Sequence, residues 1–252
     1  MSKRQELRDK RKRERFLNRL MVILFVALGA LLIAFALIFP TINYVRQQAQ
    51  KTVLPIETLA SSTSVEVIKS GKTMGDPNAP VRIEVWEDFQ CPGCVYYSTK
   101  IEPLLIEKYI ATGKVYYTYN FFLILGNTPD SESFKAASAS MCALEQERFW
   151  DYHDLLFLNW MGENVGAFSD ERLILMAESL SLDMQAFKEC YQSNKYASVI
   201  LEETQKARQL GLTSTPTILI NGRRAESSAG PQYIPSFEDL SRLIEAILAA
   251  GQ

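Results

Sequence analysis

Twenty consecutive residues without a charge, Leu20 to Phe39, lie near the start of this 252-residue chain. As a helix, at about 1.5 Å of rise per residue, they would span roughly 30 Å, the thickness of the hydrocarbon core of a bilayer. A helix that is apolar on every side is either a membrane span or a core helix of a large domain. The length of the run and its charged flank favour the membrane span, so the rest of the fold has to form outside this segment.

The charge around this segment is strongly asymmetric. Residues 1–19 contain nine Lys and Arg and three Asp and Glu, a net charge of +6, whereas the whole chain carries −2. Positively charged flanks stay in the cytoplasm, so we expect residues 1–19 to be a cytoplasmic tail and the residues after the helix to lie outside the cytoplasm. The chain beyond the tail is acidic, which argues against nucleic acid as a partner.

A cleaved signal peptide is the alternative interpretation of the same segment, with a possible cleavage site at Ala34-Phe35-Ala36. The apolar run is longer than the roughly 7–15 residues usual in a signal peptide, and it continues past that site. These two features favour a single-pass membrane anchor that is retained. Outside the cytoplasm, disulfide bonds persist.

These patterns divide the sequence into a basic tail (1–19), a membrane anchor that contacts lipid (20–39), a linker (40–74) and a globular domain (75–252). Within the globular domain, strands are predicted at Val81–Trp86 and Val115–Phe122. A helix from Pro92, kinked at Pro103, would join them as a βαβ unit with parallel strands. The stretch from about 130 to 210 has the periodicity of a series of helices.

The two cysteines of Cys91-Pro92-Gly93-Cys94 lie where the first predicted strand gives way to the helix. A Cys-x-x-Cys in this position is typical of a redox pair. At the helix start, unpaired N–H groups favour a thiolate, so Cys91 is the expected nucleophile. Cys94 lies one turn inside and is expected to resolve mixed disulfides, while Pro92 and Gly93 form the tight turn between the two thiols.

Two other interpretations of this pair are half of a zinc site and an inert structural disulfide. Zinc normally takes four ligands, and the remaining candidates are Cys142, Cys190 and His153, all in the helical stretch. We expect no metal, and no cofactor other than the redox-active disulfide of Cys91 and Cys94. As the only histidine, His153 is either a core or capping residue, which is the more common case, or a catalytic group.

Several motifs occur together in one order along the chain: Asp76–Val81, Asp88–Cys94, Phe149–Phe157, Thr215-Pro216-Thr217 and Asn221-Gly222. This order resembles the DsbA-like thioredoxin-fold thiol–disulfide oxidoreductases, in particular the membrane-anchored bacterial forms, over residues 74–252. The resemblance implies an α/β, thioredoxin-like fold with an inserted helical domain, preceded here by a single transmembrane helix. It also implies a cis bond before Pro216 that faces the cysteine pair, and a backbone at Thr215 that pairs with the substrate.

The chain departs from the family pattern at one position. Many relatives carry a buried carboxylate six residues before the first cysteine, where it assists proton transfer to the resolving thiol, and here that position is Val85. By strand alternation, Glu84 points to the face opposite Val85. Glu87 points to the same face as Val85 but lies where the strand is expected to end. We therefore treat Glu87 as an accessory candidate, with a solvated loop carboxylate as the more common alternative.

Cys142 and Cys190 form a second pair of cysteines within the helical stretch. Some relatives carry a structural disulfide there, which implies a Cys142–Cys190 bridge, and an oxidising compartment favours it. Two buried free thiols are the alternative.

The resemblance implies an enzyme that introduces disulfides into unfolded or folding exported proteins with cysteines. A membrane re-oxidase of the DsbB or vitamin-K-epoxide-reductase type would regenerate it. Two alternatives stay open: a reductase or isomerase of the same fold that supplies thiols outside the cytoplasm, and a membrane-tethered holdase without turnover.

Overall fold

The computed structural model describes residues 3–50, 52–55 and 66–251, which form two compact units, 1–49 and 50–252. Residues 51 and 56–65 of the predicted 40–74 linker lie outside the described residues. In the first unit, one helix, α1, spans Lys3–Gln50. Its segment Arg19–Ile42 is long and apolar enough to cross a membrane, by length and composition. The helix continues through Pro40, so the first residues of the predicted 40–74 linker are helical.

The second unit is built on a six-stranded sheet with the order β1-β2-β4-β3-β5-β6. As predicted, β3 and β4 are parallel, and every other pairing in the sheet is antiparallel. Because β1 and β2 belong to the sheet, the sheet begins at Lys69, before the domain start predicted at residue 75. The strands are β1 (Lys69–Ser70), β2 (Thr73–Met74), β3 (Val81–Glu87), β4 (Val115–Phe121), β5 (Thr217–Ile220) and β6 (Arg223–Arg224).

Strand β3 lies at the centre of the sheet, between β4 and β5. Val81, Ile83 and Val85 on one face join the main core, whereas Trp86 on the other face packs in a smaller core. With both faces covered, every residue from Val85 to the end of β3 is buried. A carboxylate at the end of this strand is therefore enclosed by protein, which decides the environment of Glu87.

The helix after β3 alternates between α-helical and π-helical turns, and we call it the active-site helix (92–110). Its four segments are α2 (Pro92–Tyr96), a π-helical segment (Tyr97–Ile101), α3 (Glu102–Leu105) and a second π-helical segment (Ile106–Ile110). Instead of the single kink predicted at Pro103, π-helical segments lie on either side of α3, and segments of this kind are frequent at functional sites.

Five helices occupy the stretch predicted to be helical: α4 (Glu132–Leu144), α5 (Phe149–Leu158), α6 (Asp170–Ser179), α7 (Met184–Gln192) and α8 (Ala197–Gln209). Cys142 of α4 and Cys190 of α7 form a disulfide, as the resemblance implied. Residues of the predicted linker also join this domain, because the Asn159 side chain bonds both the N–H and the C=O of Leu54. After β6, α9 (Phe237–Ala250) closes the chain and starts with a capping box of Ser236 and Asp239.

Candidate active site

The cysteine pair lies at the junction of β3 and the active-site helix, as the sequence predicted. Cys91 is the N-cap of α2 with extended backbone angles, and Pro92 occupies the first helical position. That position suits proline because its missing N–H would have no helical partner there. The Cys91 residue is 8% exposed and Cys94 is fully buried, and both thiols are free in this structure. Only the first cysteine can be reached from outside.

The environment separates the acidities of the two thiols. The Cys94 thiol, the Thr215 side chain and the backbone N–H groups of Cys94 and Gly93 stabilise a thiolate at Cys91; together they outweigh burial and lower the pKa of Cys91 to about 6. Burial raises the pKa of Cys94 well above its usual value. The hydrogen bond between its thiol and Cys91 raises this pKa further, as does the negative charge of Glu87. At neutral pH the reduced pair is therefore a Cys91 thiolate beside a Cys94 thiol, the state a nucleophile and its resolving partner need.

The loop before β5 forms the facing wall of the site. The Thr215–Pro216 peptide bond is cis, as the resemblance implied. The Cys91 thiol donates a hydrogen bond of 3.3 Å to the Thr215 carbonyl oxygen. A Cβ on Gly93 would lie 3.1 Å from Pro216 Cδ and 3.3 Å from the Thr215 carbonyl oxygen, closer than a Cβ normally approaches. The glycine therefore lets the cis-proline loop (Thr213–Thr217) lie directly against the cysteine turn.

Two buried polar residues that the sequence analysis did not single out hold the loop between β3 and Cys91. The Asp88 carboxylate accepts backbone N–H bonds from Gln90, Ile124 and Leu125. The Gln90 amide donates to the Ser133 hydroxyl and accepts from the backbone N–H of Asn164. The loop is thus fixed to the helical domain, and the position of Cys91 is fixed with it. The sequence signal was present, since both residues belong to the Asp88–Cys94 motif.

Glu87 is fully buried, so its interpretation as a solvated loop carboxylate is wrong. Strand β3 extends to Glu87 itself, and the alternation that faces Val85 into the core also turns Glu87 into it. Among the described residues, neither carboxylate oxygen has a hydrogen-bond partner, and the closest cationic atom is His153 Nε2 at 4.0 Å. Burial raises the pKa of Glu87 to about 7, against the lowering effect of His153.

His153 is a core residue that also belongs to a cluster of ionisable groups. Its ring nitrogen Nδ1 lies 2.9 Å from Asp154 Oδ1. Burial alone would lower the pKa of His153, but the Glu102, Asp154 and Glu87 carboxylates together raise it to about 10. The imidazole is therefore positively charged at neutral pH, and it compensates the buried carboxylates.

Glu102 is a member of this cluster that the sequence analysis missed. It lies on the buried face of the active-site helix, 3% exposed, and its carboxylate accepts a hydrogen bond from the Ser98 hydroxyl. The signal was its spacing: Glu102 follows Cys94 and Ser98 at eight and four residues, on the face that also carries Ile101 and Leu105.

Cys142 and Cys190 are not available as zinc ligands beside Cys91 and Cys94, because they are bonded to each other. In the described part of the chain, Glu102, His153 and Asp154 each bring one possible ligand atom within 4.8 Å of the others. Since His153 Nδ1 already faces Asp154 Oδ1 at hydrogen-bond distance, we interpret this group as an ionised hydrogen-bonding cluster.

Comparison with known proteins agrees with this geometry. The family model described as thioredoxin matches residues 68–246. The chain is 26% identical to the probable disulfide bond formation protein D of Bacillus anthracis over 176 residues, which are 69% of this chain and 76% of that protein.

Solved structures show the same fold. BdbD from Bacillus subtilis, in its oxidised form, superposes with a TM-score of 0.62 at 21% identity, over 71% of this chain and 93% of that one. The α-DsbA1 of Wolbachia pipientis superposes with a TM-score of 0.59 at 24% identity, over 78% of this chain and 97% of that one.

Proposed function

The chain belongs to the thioredoxin family as a DsbA-like thiol–disulfide oxidoreductase, and from this we propose that it introduces disulfides into exported proteins through Cys91 and Cys94. It does so outside the cytoplasm, held at the membrane by the Leu20–Phe39 segment. Its substrates are unfolded or folding proteins with pairs of free cysteines.

The reaction starts from the oxidised enzyme, with a Cys91–Cys94 disulfide. A substrate thiolate attacks the sulfur of Cys91, the more accessible of the two, the bond between the two enzyme sulfurs breaks, and Cys94 leaves as a thiolate that takes up a proton. The second substrate thiolate then attacks the substrate sulfur of the mixed disulfide and releases the Cys91 thiolate. The substrate has lost two electrons to the enzyme and gained a disulfide.

The observation that carries this direction of electron flow is the position of Cys91 at the N-cap of α2, where backbone N–H groups favour a thiolate and help to lower its pKa to about 6. Reduction of the enzyme produces this thiolate, so every contact that stabilises it also stabilises the reduced enzyme and makes the disulfide a stronger oxidant. The Cys94 thiol and the N–H groups of Gly93 and Cys94, which stabilise the Cys91 thiolate, therefore support the oxidising power.

The cis-proline loop supplies a place for the substrate next to Cys91. A surface cavity beside it is lined by residues that include Thr215, Pro216, Tyr233 and Ile234. A substrate strand that pairs with the backbone of Thr215 would bring its cysteine to the Cys91 sulfur, 3.3 Å from the Thr215 carbonyl oxygen.

The turnover of such an enzyme requires a partner that accepts two electrons from the reduced pair. We propose a membrane re-oxidase of the DsbB or vitamin-K-epoxide-reductase type. The apolar helical segment Arg19–Ile42 supports this choice, since an anchored enzyme stays within reach of a membrane partner.

The reduction potential of the full-length protein in detergent, measured by equilibration with glutathione, tests the direction. We expect a value closer to that of DsbA, about −120 mV, than to that of thioredoxin, about −270 mV. A value near that of thioredoxin would support a reductase and contradict an oxidase. The holdase would be supported if the wild-type protein showed no exchange activity and the Cys91→Ser variant suppressed aggregation as well as the wild type does.

Location is tested separately. A membrane-impermeant maleimide added to intact spheroplasts should label reduced Cys91, and the mass of the purified protein should include residues 1–19. Labelling only after lysis would contradict the orientation, and loss of the N-terminal segment would show that it is a cleaved signal peptide.

A further inference from the structure

A short segment near the start of the second unit, residues 52–55, is bound to the helical domain, and we call it the strap. The Asn159 side chain accepts a hydrogen bond of 2.6 Å from the Leu54 N–H and donates one of 3.0 Å to the Leu54 carbonyl oxygen. The Arg172 guanidinium donates to the Thr52 carbonyl oxygen. Between these two contacts, Val53 is partly buried and packs against the main core. The strap is therefore part of the folded domain.

The two side chains that hold the strap are themselves fixed. Asn159 is 4% exposed and Arg172 is 1% exposed. Asn159 also donates to the Leu155 carbonyl oxygen at the end of α5, and Arg172 donates to the carbonyl oxygens of Ala167 and Asn159. If the strap left, the Asn159 side-chain oxygen would lose its Leu54 partner in a buried position, which is unfavourable.

The residue that binds the strap is adjacent to one that binds the active-site loop. Trp160 follows Asn159, and its indole N–H donates a hydrogen bond of 2.8 Å to the Gln90 carbonyl oxygen. Gln90 directly precedes Cys91. The strap and the nucleophile are thus connected through Asn159, Trp160 and Gln90, so the part of the domain that holds the strap also holds Cys91.

The position of the strap in the sequence determines how long the membrane tether is. The apolar segment of α1 ends at Ile42; Thr52 follows it by ten residues, whereas Lys69, the first residue of the sheet, follows it by 27. Fully extended, these stretches cover at most roughly 35 Å and roughly 95 Å. A domain held at the strap can therefore move away from the end of the apolar segment much less far than one held only at β1.

We propose that the strap, by shortening the tether, keeps Cys91 close to the outer surface of the membrane. The thiols that the enzyme then meets most often are those at that surface: the thiols of its membrane re-oxidase, and cysteines of exported proteins that are still near the bilayer. The proposal deepens the proposed function and rests on it, including the membrane anchor.

The size of the effect follows from the length of the tether. The effective concentration of a tethered group falls roughly as the −3/2 power of the tether length, so a tether of ten residues in place of 27 raises it roughly fourfold. A thiol that diffuses freely in solution meets the enzyme at a rate that does not depend on the tether. The ratio of the rates with a membrane thiol and with a soluble thiol therefore reports the tether alone, because the reactivity of Cys91 cancels.

The test uses the oxidised full-length protein in liposomes and measures this ratio in single turnovers. The membrane probe is a phospholipid whose headgroup carries a dithiol, and the soluble probe is a peptide with two cysteines. Each probe loses two electrons and forms a disulfide, while the Cys91–Cys94 disulfide is reduced to two thiols.

Two insertions of the same sequence separate the strap from the rest of the tether. Seventeen Gly and Ser residues inserted after Lys51, ahead of the strap, restore a tether of 27 residues and should lower the ratio roughly fourfold. The same insertion after Ser62 lies behind the strap in the sequence and should leave the ratio equal to that of the wild type.

A variant that releases the strap tests its contacts. Leu54→Pro removes the N–H that donates to Asn159, and Val53→Asp adds a charge where Val53 packs on the core. The double variant should lower the ratio roughly fourfold, and in it the insertion after Ser62 should lower the ratio further. Leu54→Ile keeps the N–H at a residue that is half exposed, so it is the matched control and should equal the wild type.

Equal effects of the two insertions in the otherwise wild-type protein would overturn the proposal, because the strap would then not hold the tether. A double variant with the wild-type ratio would overturn it too. These outcomes are distinct from a failure of the proposed function: a wild type that oxidises neither probe contradicts the oxidase, and a purified protein that lacks residues 1–19 contradicts the anchor.

Discussion

The sulfur of Cys91 lies 3.3 Å from the carbonyl oxygen of Thr215, the residue before the cis proline. The Thr215 hydroxyl is buried and has no hydrogen-bond partner among the described residues. A hydroxyl can rotate, so it is available to donate to the sulfur once Cys91 is a thiolate. One residue thus offers an acceptor to the thiol and a donor to the thiolate.

Thr215→Val should raise the pKa of Cys91, because it removes that donor and keeps the shape of the side chain. We expect a rise of about one unit, since one unit corresponds to about 1.4 kcal/mol of interaction, as one hydrogen bond to a charged group contributes. Thiolate absorbance at 240 nm during a pH titration measures it. Thr215→Ser keeps the hydroxyl and is the control; equal titration curves for the valine and serine variants would contradict the role of the hydroxyl.

The reduced protein should become more stable relative to its Cys91→Ser variant as pH rises from 6 to 9. The native pKa of Cys91 is about 6 and the ordinary value is 9.0, so between them the unfolded chain holds one proton more than the native chain. This contribution is complete above pH 9 and lost below pH 6. Urea unfolding of both reduced proteins at several pH values measures it, and a constant difference across this range would contradict a depressed pKa.

Gly93→Ala should leave the fold intact and weaken the site. The added methyl group would lie 3.1–3.3 Å from Pro216, Ile234 and the Thr215 carbonyl oxygen, so the cis-proline loop has to move by a few tenths of an ångström. We expect exchange with a cysteine-containing peptide to slow more than exchange with glutathione, because only the peptide uses the Thr215 backbone. Lys100→Ala, exposed on the same helix, is the control; equal slowing with both substrates would contradict this role of the loop.

Removing the Cys142–Cys190 bridge should destabilise the domain without changing the reactivity of Cys91. The bridge closes a loop with a sequence separation of 48 residues, which corresponds to about 4 kcal/mol in the chain-entropy model, before any native-state strain is subtracted. Thermal unfolding of the Cys142→Ala/Cys190→Ala double variant measures the loss. An unchanged melting temperature would show that the bridge adds nothing to the stability of the domain beyond what two buried alanines provide.

Sequence patterns predicted the parts of the molecule that depend on local spacing. Cys91 and Cys94 follow the strand and open the helix, and the parallel β3–β4 pairing follows from the helix between them. The cis bond at Pro216 came from the family resemblance, since a Thr-Pro dipeptide is compatible with either isomer.

The buried cluster of Glu87, Glu102 and His153 could not be predicted in the same way, because it depends on contacts between distant segments of the chain. Whether Glu87 is buried depends on where β3 ends, and that end is fixed by pairing with β4 at Phe121. His153 lies more than sixty residues further along the chain, and its contact with Glu87 exists only once α5 packs on the sheet. The helical spacing of Glu102 places it on the apolar face of its helix. A buried charge needs a partner of opposite charge, but the sequence does not show which residue that partner is.

The bridge between α4 and α7 also has a consequence for the biogenesis of the protein. A newly synthesised chain carries four thiols, and the bridge forms only when two of them, Cys142 and Cys190, give up a pair of electrons. Each molecule therefore depends on disulfide formation for the stability of its own fold, and is itself a substrate of the kind of reaction that its Cys91–Cys94 pair carries out.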